Sequence, residues 1–218
     1  MRAVAFDMDG LMFDTESVYW KSAAALLGRR GFEYTEELCN AVMGRPPQFC
    51  FEFFKETFSL PETWQELQNE SEDFFLKFLK EGFSPMPGLF ELLEFLESCE
   101  ISKCICTSSS LRVVTAVLST YDLAKRFKFV LTAEDITRGK PDPEIYLKAA
   151  TRLGVNSSDL LVLEDSEAGC TAADAANAFP VIVIAEHNKK GKFPKAKLIV
   201  NSLNDPKIKS VLSEEILN

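Results

Sequence analysis

Short apolar segments of strand length alternate along most of this chain with segments that have the apolar spacing of helices. Leu89, Leu92, Leu93 and Leu96, for example, fall at positions i, i+3, i+4 and i+7, which lie on one face of a helix. Strands that alternate with helices favour a parallel sheet covered on both sides. The chain is therefore predicted to have an α/β fold with a doubly wound parallel sheet. Its predicted strands are residues 2–6, 101–107, 129–132, 160–163, 181–184 and 198–200.

One long segment, residues 15–84, interrupts this alternation. It has no convincing strand pattern, and it holds ten of the 18 phenylalanines and both tryptophans. Aromatic side chains at helical spacing are typical of the core of a helical bundle, and an aromatic-lined substrate pocket is the alternative. The Pro-Met-Pro-Gly stretch at 85–88 then marks the return to the α/β pattern. We predict an α/β core made of residues 1–14 and 85–218, with an all-helical cap domain inserted at 15–84.

Composition excludes several classes of function. The formal net charge of −9 argues against general nucleic-acid binding, because an acidic protein repels phosphate backbones. No run of about 18 apolar residues is present, so no membrane span is expected. The six cysteines form no C-x-x-C pair and the chain has one histidine, His187, which makes a zinc site improbable and favours a reduced, cytoplasmic setting. We expect a monomer without nucleic-acid or membrane partners.

The most informative residues follow the first predicted strand. Asp7 and Asp9 stand two positions apart where a buried strand ends, and ligands of open parallel sheets bind outside the carboxyl ends of the strands. Two carboxylates placed there repel each other unless a cation or a shared proton relieves them. A simple turn with Gly10 in the left-handed region is the structural alternative. An EF-hand loop is excluded because its twelfth position, Val18, carries no carboxylate.

Polar residues follow three further strands. Thr107 and Ser108 stand where a strand gives way to a helix, and backbone N–H groups at such a point can hold a phosphate. Lys140 lies in a proline-bounded loop and could neutralise a phosphate or a carboxylate. Glu164 and Asp165 end another apolar strand, and such hard oxygen ligands favour Mg²⁺ over a transition metal. Taken singly, each has an ordinary structural alternative, namely helix N-capping or a solvated surface lysine.

Together these four sites resemble the motifs of the haloacid dehalogenase superfamily, in order and spacing, over essentially the whole chain. Residues 6–16, 139–143 and 164–166 look like the subgroup that contains β-phosphoglucomutase and small sugar phosphatases, in which a helical cap follows the first motif. The resemblance implies a Rossmann-like core with this cap and a magnesium-dependent phosphotransferase reaction through an aspartyl-phosphate.

Residue roles also follow from the resemblance. Asp7 would be the nucleophile and Asp9 the general acid–base. Thr107 and the backbone of Ser108 would bind the phosphoryl oxygens, and Lys140 would steady Asp7 and the phosphoryl charge. The resemblance implies Mg²⁺ bound by Asp7, the backbone carbonyl of Asp9, Glu164 and Asp165.

Two positions bear on the choice of reaction. The mutase carries a histidine in the cap hinge, four residues after a threonine that corresponds to Thr15, and Tyr19 occupies that place here. Residues 42–45 and 86–88 resemble pseudouridine-5′-phosphatases and related sugar-phosphate phosphatases, and Arg45 in the cap could bind a distal anionic group. The predicted function is a magnesium-dependent phosphatase for a small phosphorylated metabolite, a sugar or nucleoside phosphate. A β-phosphoglucomutase-type mutase and a degenerate protein that only binds a phosphorylated ligand are the alternatives.

Overall fold

The structure is a computed structural model and describes residues 1–42, 45–185 and 187–213. Six strands form one sheet in the order β3-β2-β1-β4-β5-β6, and every neighbouring pair is parallel. All six predicted strands are present, with ends shifted by at most two residues. The strands are β1 (Ala3–Phe6), β2 (Ser102–Cys106), β3 (Val130–Leu131), β4 (Leu160–Glu164), β5 (Phe179–Val183) and β6 (Leu198–Val200). The predicted α/β fold is confirmed.

Helices cover both faces of the sheet, and successive side chains of β1 point to opposite faces. Val4 and Phe6 join one apolar cluster, whereas Ala3 and Ala5 join another. The first cluster contains α5 (Leu89–Ser98), α6 (Leu111–Thr120) and α9 (Pro206–Ser213); the second contains α7 (Glu144–Leu153) and α8 (Glu167–Ala175). Alanines dominate the second cluster, to which α7 also contributes the larger side chains of Ile145 and Tyr146.

The segment between β1 and α5 is helical in its described part. It contains α1 (Glu16–Gly28), α2 (Glu36–Val42), α3 (Pro47–Phe58) and α4 (Trp64–Leu79). Leu26, Leu27, Phe54, Leu60 and Leu67 form a third apolar cluster there. A capping box between Thr63 and Glu66 starts α4. The helical cap of the predicted fold class is thus present, and we retain its boundaries, 15 and 84, as a proposal supported by this separate cluster.

The aromatic residues of the cap divide between two cores. Phe54 is buried in the cap cluster, and Phe74 packs against it. Phe75, in contrast, is buried in the large cluster on the first face of the sheet, and α4 packs on α6. The prediction that these aromatics form a separate bundle core is therefore right for Phe54 and Phe74 and wrong for Phe75 and Phe78. A helix whose apolar positions lie on two sides buries each side against a different partner.

Two adjacent connections join the cap to the core. The Asp14 N–H donates to the Ser84 carbonyl at 2.9 Å, and the Met86 N–H donates to the Met12 carbonyl at 2.8 Å. Phe13 pairs with Pro85 in an isolated antiparallel bridge. The entering and leaving segments are therefore paired to each other beside the end of β1. None of the helices in the described residues is long and apolar enough to cross a membrane.

Candidate active site

Asp7 and Asp9 lie in the loop that leaves the carboxyl end of β1. The Asp7 N–H donates to the Leu163 carbonyl at 3.0 Å, which extends the pairing of β1 with β4 by one residue. Gly10 then takes φ +74°, and its N–H closes a tight turn by donating to the Phe13 carbonyl. A Cβ at Gly10 would overlap the Asp165 carboxylate. The turn and the contact with the opposite loop both require glycine here.

Lys140 is buried against Asp7, in contrast to the solvated lysine that its sequence position alone allowed. Its Nζ donates to Asp7 Oδ1 at 2.5 Å, Glu164 Oε1 at 2.7 Å and the Cys106 carbonyl at 3.0 Å. Burial alone would lower the pKa of Lys140, but Asp7 and Glu164 raise it above its ordinary value. The ammonium is thus a fixed positive charge beside Asp7.

The two acidic residues at the end of β4 have different surroundings. Glu164 is fully buried and accepts hydrogen bonds from Lys140, the Tyr146 hydroxyl at 2.6 Å and the Ser166 hydroxyl at 2.9 Å. A Cβ at Gly169 would overlap this carboxylate, so α8 can approach it only through glycine. Within the described part of the chain, Asp165 has no such array of donors, and its Oδ2 lies 2.6 Å from His187 Nε2.

Among the residues that the structure describes, carboxylates outnumber cations at this end of the sheet. Ligand oxygens of Asp7, Glu164 and Asp165 all lie within 4.8 Å of one another. Burial raises the pKa of Asp7, and neighbouring carboxylates raise it further, against the opposing effect of Lys140. Burial and Glu164 likewise raise the pKa of Asp165. One ammonium does not balance this cluster, and three hard oxygen ligands suit a divalent cation such as Mg²⁺.

The Asp9 side chain faces a group of hydroxyls instead of this carboxylate cluster. Its Oδ1 accepts from Thr15 at 2.8 Å, and its Oδ2 accepts from Ser109 at 2.6 Å and from Thr107 at 3.3 Å. Burial raises the pKa of Asp9, whereas these hydrogen bonds lower it. The metal role predicted for Asp9 concerned its backbone carbonyl and stays a prediction.

The residues after β2 lie beside Asp9. Thr107 is buried, its N–H donates to the Leu131 carbonyl, and its hydroxyl accepts from the Ser109 N–H at 3.0 Å. Ser108 is half-buried next to it. Ser110 is the N-cap of α6, accepting from the Val113 N–H. Capping is thus done by Ser110, and Thr107 and Ser108 lie at the strand end, where the Thr107 hydroxyl donates to Asp9.

Arg45 in the cap is exposed, and its guanidinium lies 5.1 Å from the centre of the Phe49 ring. Met43 and Gly44, which precede it in the predicted cap loop, lie outside the described residues. Pro46 packs at Gly139, so that a Cβ at Gly139 would stand 3.0 Å from Pro46 Cγ. This cap segment therefore reaches the loop that carries Lys140, and a substrate contact of Arg45 stays a prediction.

Sequence reasoning missed several polar residues of the site, among them His187, Ser109 and Tyr146. Each contacts a predicted site residue from a distant part of the chain. His187 is placed by the buried Asn188, whose side-chain amide donates to the carbonyls of Asp165 and Val183. Of the three, Ser109 had a local signal, because it lies in the hydroxyl-rich run that contains Thr107.

Comparison with known proteins agrees with this geometry. Residues 4–184 match the family model described as haloacid dehalogenase-like hydrolase, and the chain belongs to that family. It is 32% identical over 229 residues to a phosphorylated carbohydrates phosphatase of Thermotoga maritima, covering 100% of this chain and 97% of the relative. It is 33% identical over 206 residues to a probable pseudouridine-5′-phosphatase of Drosophila melanogaster, covering 92% and 89%.

A solved structure is also similar over its full length. The crystal structure of β-phosphoglucomutase from Clostridium difficile matches with a TM-score of 0.82 and 26% identity, covering 100% of both chains. The predicted family, and the predicted enzyme class of haloacid dehalogenase-type phosphatases, are confirmed.

Proposed function

We propose that this protein is a magnesium-dependent phosphatase that hydrolyses a small phosphorylated metabolite through a phosphoryl group carried on Asp7. The observation that carries the proposal is the placement of Asp7 at the end of β1, with Lys140 at 2.5 Å and the carboxylates of Glu164 and Asp165 beside it. Phosphoryl transfer depends chiefly on positioning and on neutralisation of charge. A carboxylate nucleophile with one fixed ammonium and a cation-binding cluster meets both requirements.

In the first half of the reaction, an Asp7 carboxylate oxygen attacks phosphorus as the bond to the leaving oxygen breaks. Lys140 keeps the carboxylate oriented and stabilises the equatorial phosphoryl oxygens. Thr107 and the Ser108 N–H are the donors that we assign to those oxygens. Asp9 in its protonated form gives its proton to the leaving oxygen, and the metabolite departs as an alcohol.

In the second half, the Asp9 carboxylate takes a proton from water, and the resulting hydroxide equivalent attacks the phosphoryl group. The bond between phosphorus and Asp7 breaks, which releases inorganic phosphate and restores both aspartates. Both roles require Asp9 to change its protonation state in each cycle. Burial that raises the pKa of Asp9 favours the acid form, and the surrounding hydroxyls stabilise the base form.

Asp7, Asp165 and the Asp9 backbone carbonyl are the ligands that we assign to Mg²⁺, with Glu164 also close enough to contribute. A bound divalent cation would polarise the phosphoryl group and offset the carboxylates around it. The chemistry of the donor set supports this assignment, because all the ligand atoms are hard oxygens.

The phosphatase names of the two relatives support hydrolysis of a sugar or nucleoside phosphate as the reaction. Similarity to β-phosphoglucomutase keeps a mutase as the second candidate. Tyr19 stands at the position of the mutase's hinge histidine, and this favours the phosphatase. We also propose that the protein is a cytoplasmic monomer, a setting that agrees with its six free cysteines.

A panel of sugar monophosphates and nucleoside 5′-monophosphates, assayed for phosphate release with Mg²⁺ and with excess chelator, tests the function. We expect release that requires Mg²⁺ and exceeds conversion of β-glucose 1-phosphate to glucose 6-phosphate, measured with a bisphosphate primer. Efficient isomerisation with negligible free phosphate would establish the mutase instead. Binding of phosphorylated ligands without turnover would indicate a degenerate member of the family.

A further inference from the structure

A tyrosine of the cap is linked to Asp9 through a serine of the core. The Tyr19 hydroxyl oxygen lies 2.7 Å from Ser109 Oγ, and Ser109 Oγ donates to Asp9 Oδ2 at 2.6 Å. Tyr19 belongs to α1, whereas Ser109 lies between β2 and α6. The link therefore crosses from the cap to the core at the residue that we assign as the general acid–base.

The two hydrogen bonds that connect Tyr19 with Ser109 and Ser109 with Asp9 have one consistent direction. The Ser109 hydroxyl has a single proton, which it directs to the Asp9 carboxylate. Its oxygen must then accept the proton of Tyr19. A hydroxyl that accepts a hydrogen bond becomes a stronger donor, because successive hydrogen bonds polarise one another. The Tyr19 hydroxyl thus fixes the rotamer of Ser109 and strengthens its bond to Asp9, and no proton needs to leave Tyr19.

The tyrosine ring is held firmly enough for this role. Its centre lies 4.6 Å from that of Phe75, which is buried on α4. The α4 helix in turn packs on α6 of the core. The position of the Tyr19 hydroxyl is therefore set by the contact between cap and core, and this hydroxyl is linked to the Asp9 carboxylate through Ser109.

We propose that Tyr19 and Ser109 form a hydroxyl relay that positions the Asp9 side chain for proton transfer to the leaving oxygen when the cap rests on the core. Ser109 contacts Asp9 directly, and Tyr19 is a positioning residue that acts through Ser109. The proposal rests on the function assigned above to Asp9. It adds two residues to the reaction and makes proton transfer depend on the placement of α1.

The test compares two substrates that differ in their need for an acid. Glycerol 3-phosphate has a poor leaving group that must be protonated, whereas the p-nitrophenolate of p-nitrophenyl phosphate leaves readily without a proton. We expect Tyr19→Phe to lower kcat/KM for glycerol 3-phosphate roughly 2- to 12-fold, since a neutral hydrogen bond contributes about 0.5–1.5 kcal/mol and 1.4 kcal/mol is tenfold. The loss on p-nitrophenyl phosphate should be clearly smaller.

Tyr121→Phe is the matched control. Its hydroxyl also bonds near the junction of cap and core, donating to the Phe83 carbonyl, but it does not contact Ser109 or Asp9. We expect Tyr121→Phe to change kcat/KM for both substrates by the same factor. Thermal unfolding of each variant confirms that the fold is retained.

A double-mutant cycle tests whether Tyr19 acts through Ser109. Ser109→Ala should produce the larger loss on glycerol 3-phosphate, and adding Tyr19→Phe to Ser109→Ala should lower kcat/KM no further. Independent, multiplying losses would overturn the relay. An equal loss on both substrates in Tyr19→Phe would also overturn it, because a general structural defect does not distinguish leaving groups.

Asp9→Asn separates this proposal from the proposed function. If Asp9→Asn loses far more activity on glycerol 3-phosphate than on p-nitrophenyl phosphate while Tyr19→Phe loses none, the relay is wrong and the assignment of Asp9 stands. If Asp9→Asn shows no dependence on the leaving group, the assignment of Asp9 as the acid fails, and the relay fails with it.

Discussion

The core contains a buried group of charges and the cap a partly exposed one, and the two groups differ in their balance. At the carboxyl ends of the strands, Lys140 faces the carboxylates of Asp7 and Glu164, with Asp165 beside them. In the cap, Arg30 pairs with Glu62 at 2.7 Å and with Glu70 at 2.6 Å, and Arg29 pairs with Glu70 at 2.8 Å. The cap group has two cations for two carboxylates, whereas the core group has an excess of carboxylates.

We infer that this difference separates a structural cluster from the cluster to which we assign the function. Opposite charges that balance can be stabilised within the fold by their own hydrogen bonds, as when Arg30 also donates to the Leu26 carbonyl. An excess of buried carboxylates is unfavourable without a further cation, and it persists where function requires it. Charge removed from the core should therefore impair activity with little loss of stability, and charge removed from the cap should do the reverse.

Asp7→Asn should produce the largest effect. The amide is nearly isosteric but cannot attack phosphorus, so turnover should fall by at least about 1,000-fold, the scale on which loss of a nucleophile acts. Because the change also removes one carboxylate from an acidic cluster, the free energy of unfolding should stay the same or rise. Steady-state hydrolysis and urea denaturation measure the two quantities. Activity above a few per cent of wild type in a clean preparation would reject Asp7 as the nucleophile.

Asp165→Ala should weaken Mg²⁺ binding more than Glu164→Ala. Glu164 already accepts from Lys140, Tyr146 and Ser166, whereas Asp165 has fewer donors. We expect Asp165→Ala to weaken binding by at least about 10- to 100-fold, since loss of even an outer-sphere partner has that effect. Calorimetric titration with Mg²⁺ measures the affinity directly. A larger loss in Glu164→Ala would make Glu164 the principal ligand of the pair.

Arg45→Ala tests whether the cap also contains a functional charge. If Arg45 binds a distal anionic group, kcat/KM for the preferred substrate should fall roughly 10- to 150-fold, since a charged hydrogen bond contributes about 1.5–3 kcal/mol and 1.4 kcal/mol is tenfold. Acetyl phosphate, which has no distal group, should be little affected. Arg152→Ala is the matched control, because Arg152 is also exposed and lies 4.3 Å from an aromatic ring, that of Phe129.

Two other outcomes would change the interpretation of Arg45. Equal losses on the preferred substrate and acetyl phosphate would mean that Arg45 supports the fold or the chemistry. No loss on either substrate would show that it is a solvated surface residue.

The sequence was sufficient for the strand-end residues because their signal is local. An apolar strand followed by Asp7 or by Glu164 and Asp165 predicts both the strand and its polar end. The parallel register then aligns these ends, with Phe6 opposite Ile105 and Leu163. The topology of a parallel α/β sheet thus brings together residues that are more than 90 positions apart.

The sequence could not predict which side chains surround the charged residues of the site. Tyr146 reaches Glu164 because α7 packs on the sheet, and Gly169 provides the space for that carboxylate. His187 reaches Asp165 from a loop that the Asn188 side chain ties to β5 and to the residue after β4. The Tyr19–Ser109 contact depends on how the cap rests on the core. Each is a long-range contact between side chains, and none has a periodic pattern in the sequence.

The smallest effect on activity should come from Arg30→Met, which removes the ion pairs of Arg30 with Glu62 and Glu70 in the cap. The substitution retains much of the aliphatic length but removes this donor from Glu62 and Glu70; because both carboxylates are partly exposed and Glu70 keeps its pair with Arg29, we expect a loss of about 1–2 kcal/mol. Urea denaturation should show this loss, while kcat/KM should change by less than about twofold, because Arg30 contacts none of the strand-end residues. Lys125→Met is the control: its pair with Asp122 is highly exposed, and such pairs contribute about 0–1 kcal/mol. If Arg30→Met instead lowers kcat/KM as strongly as Arg45→Ala while stability is unchanged, the cap cluster has a functional role, and charge balance does not separate structural from functional sites in this protein.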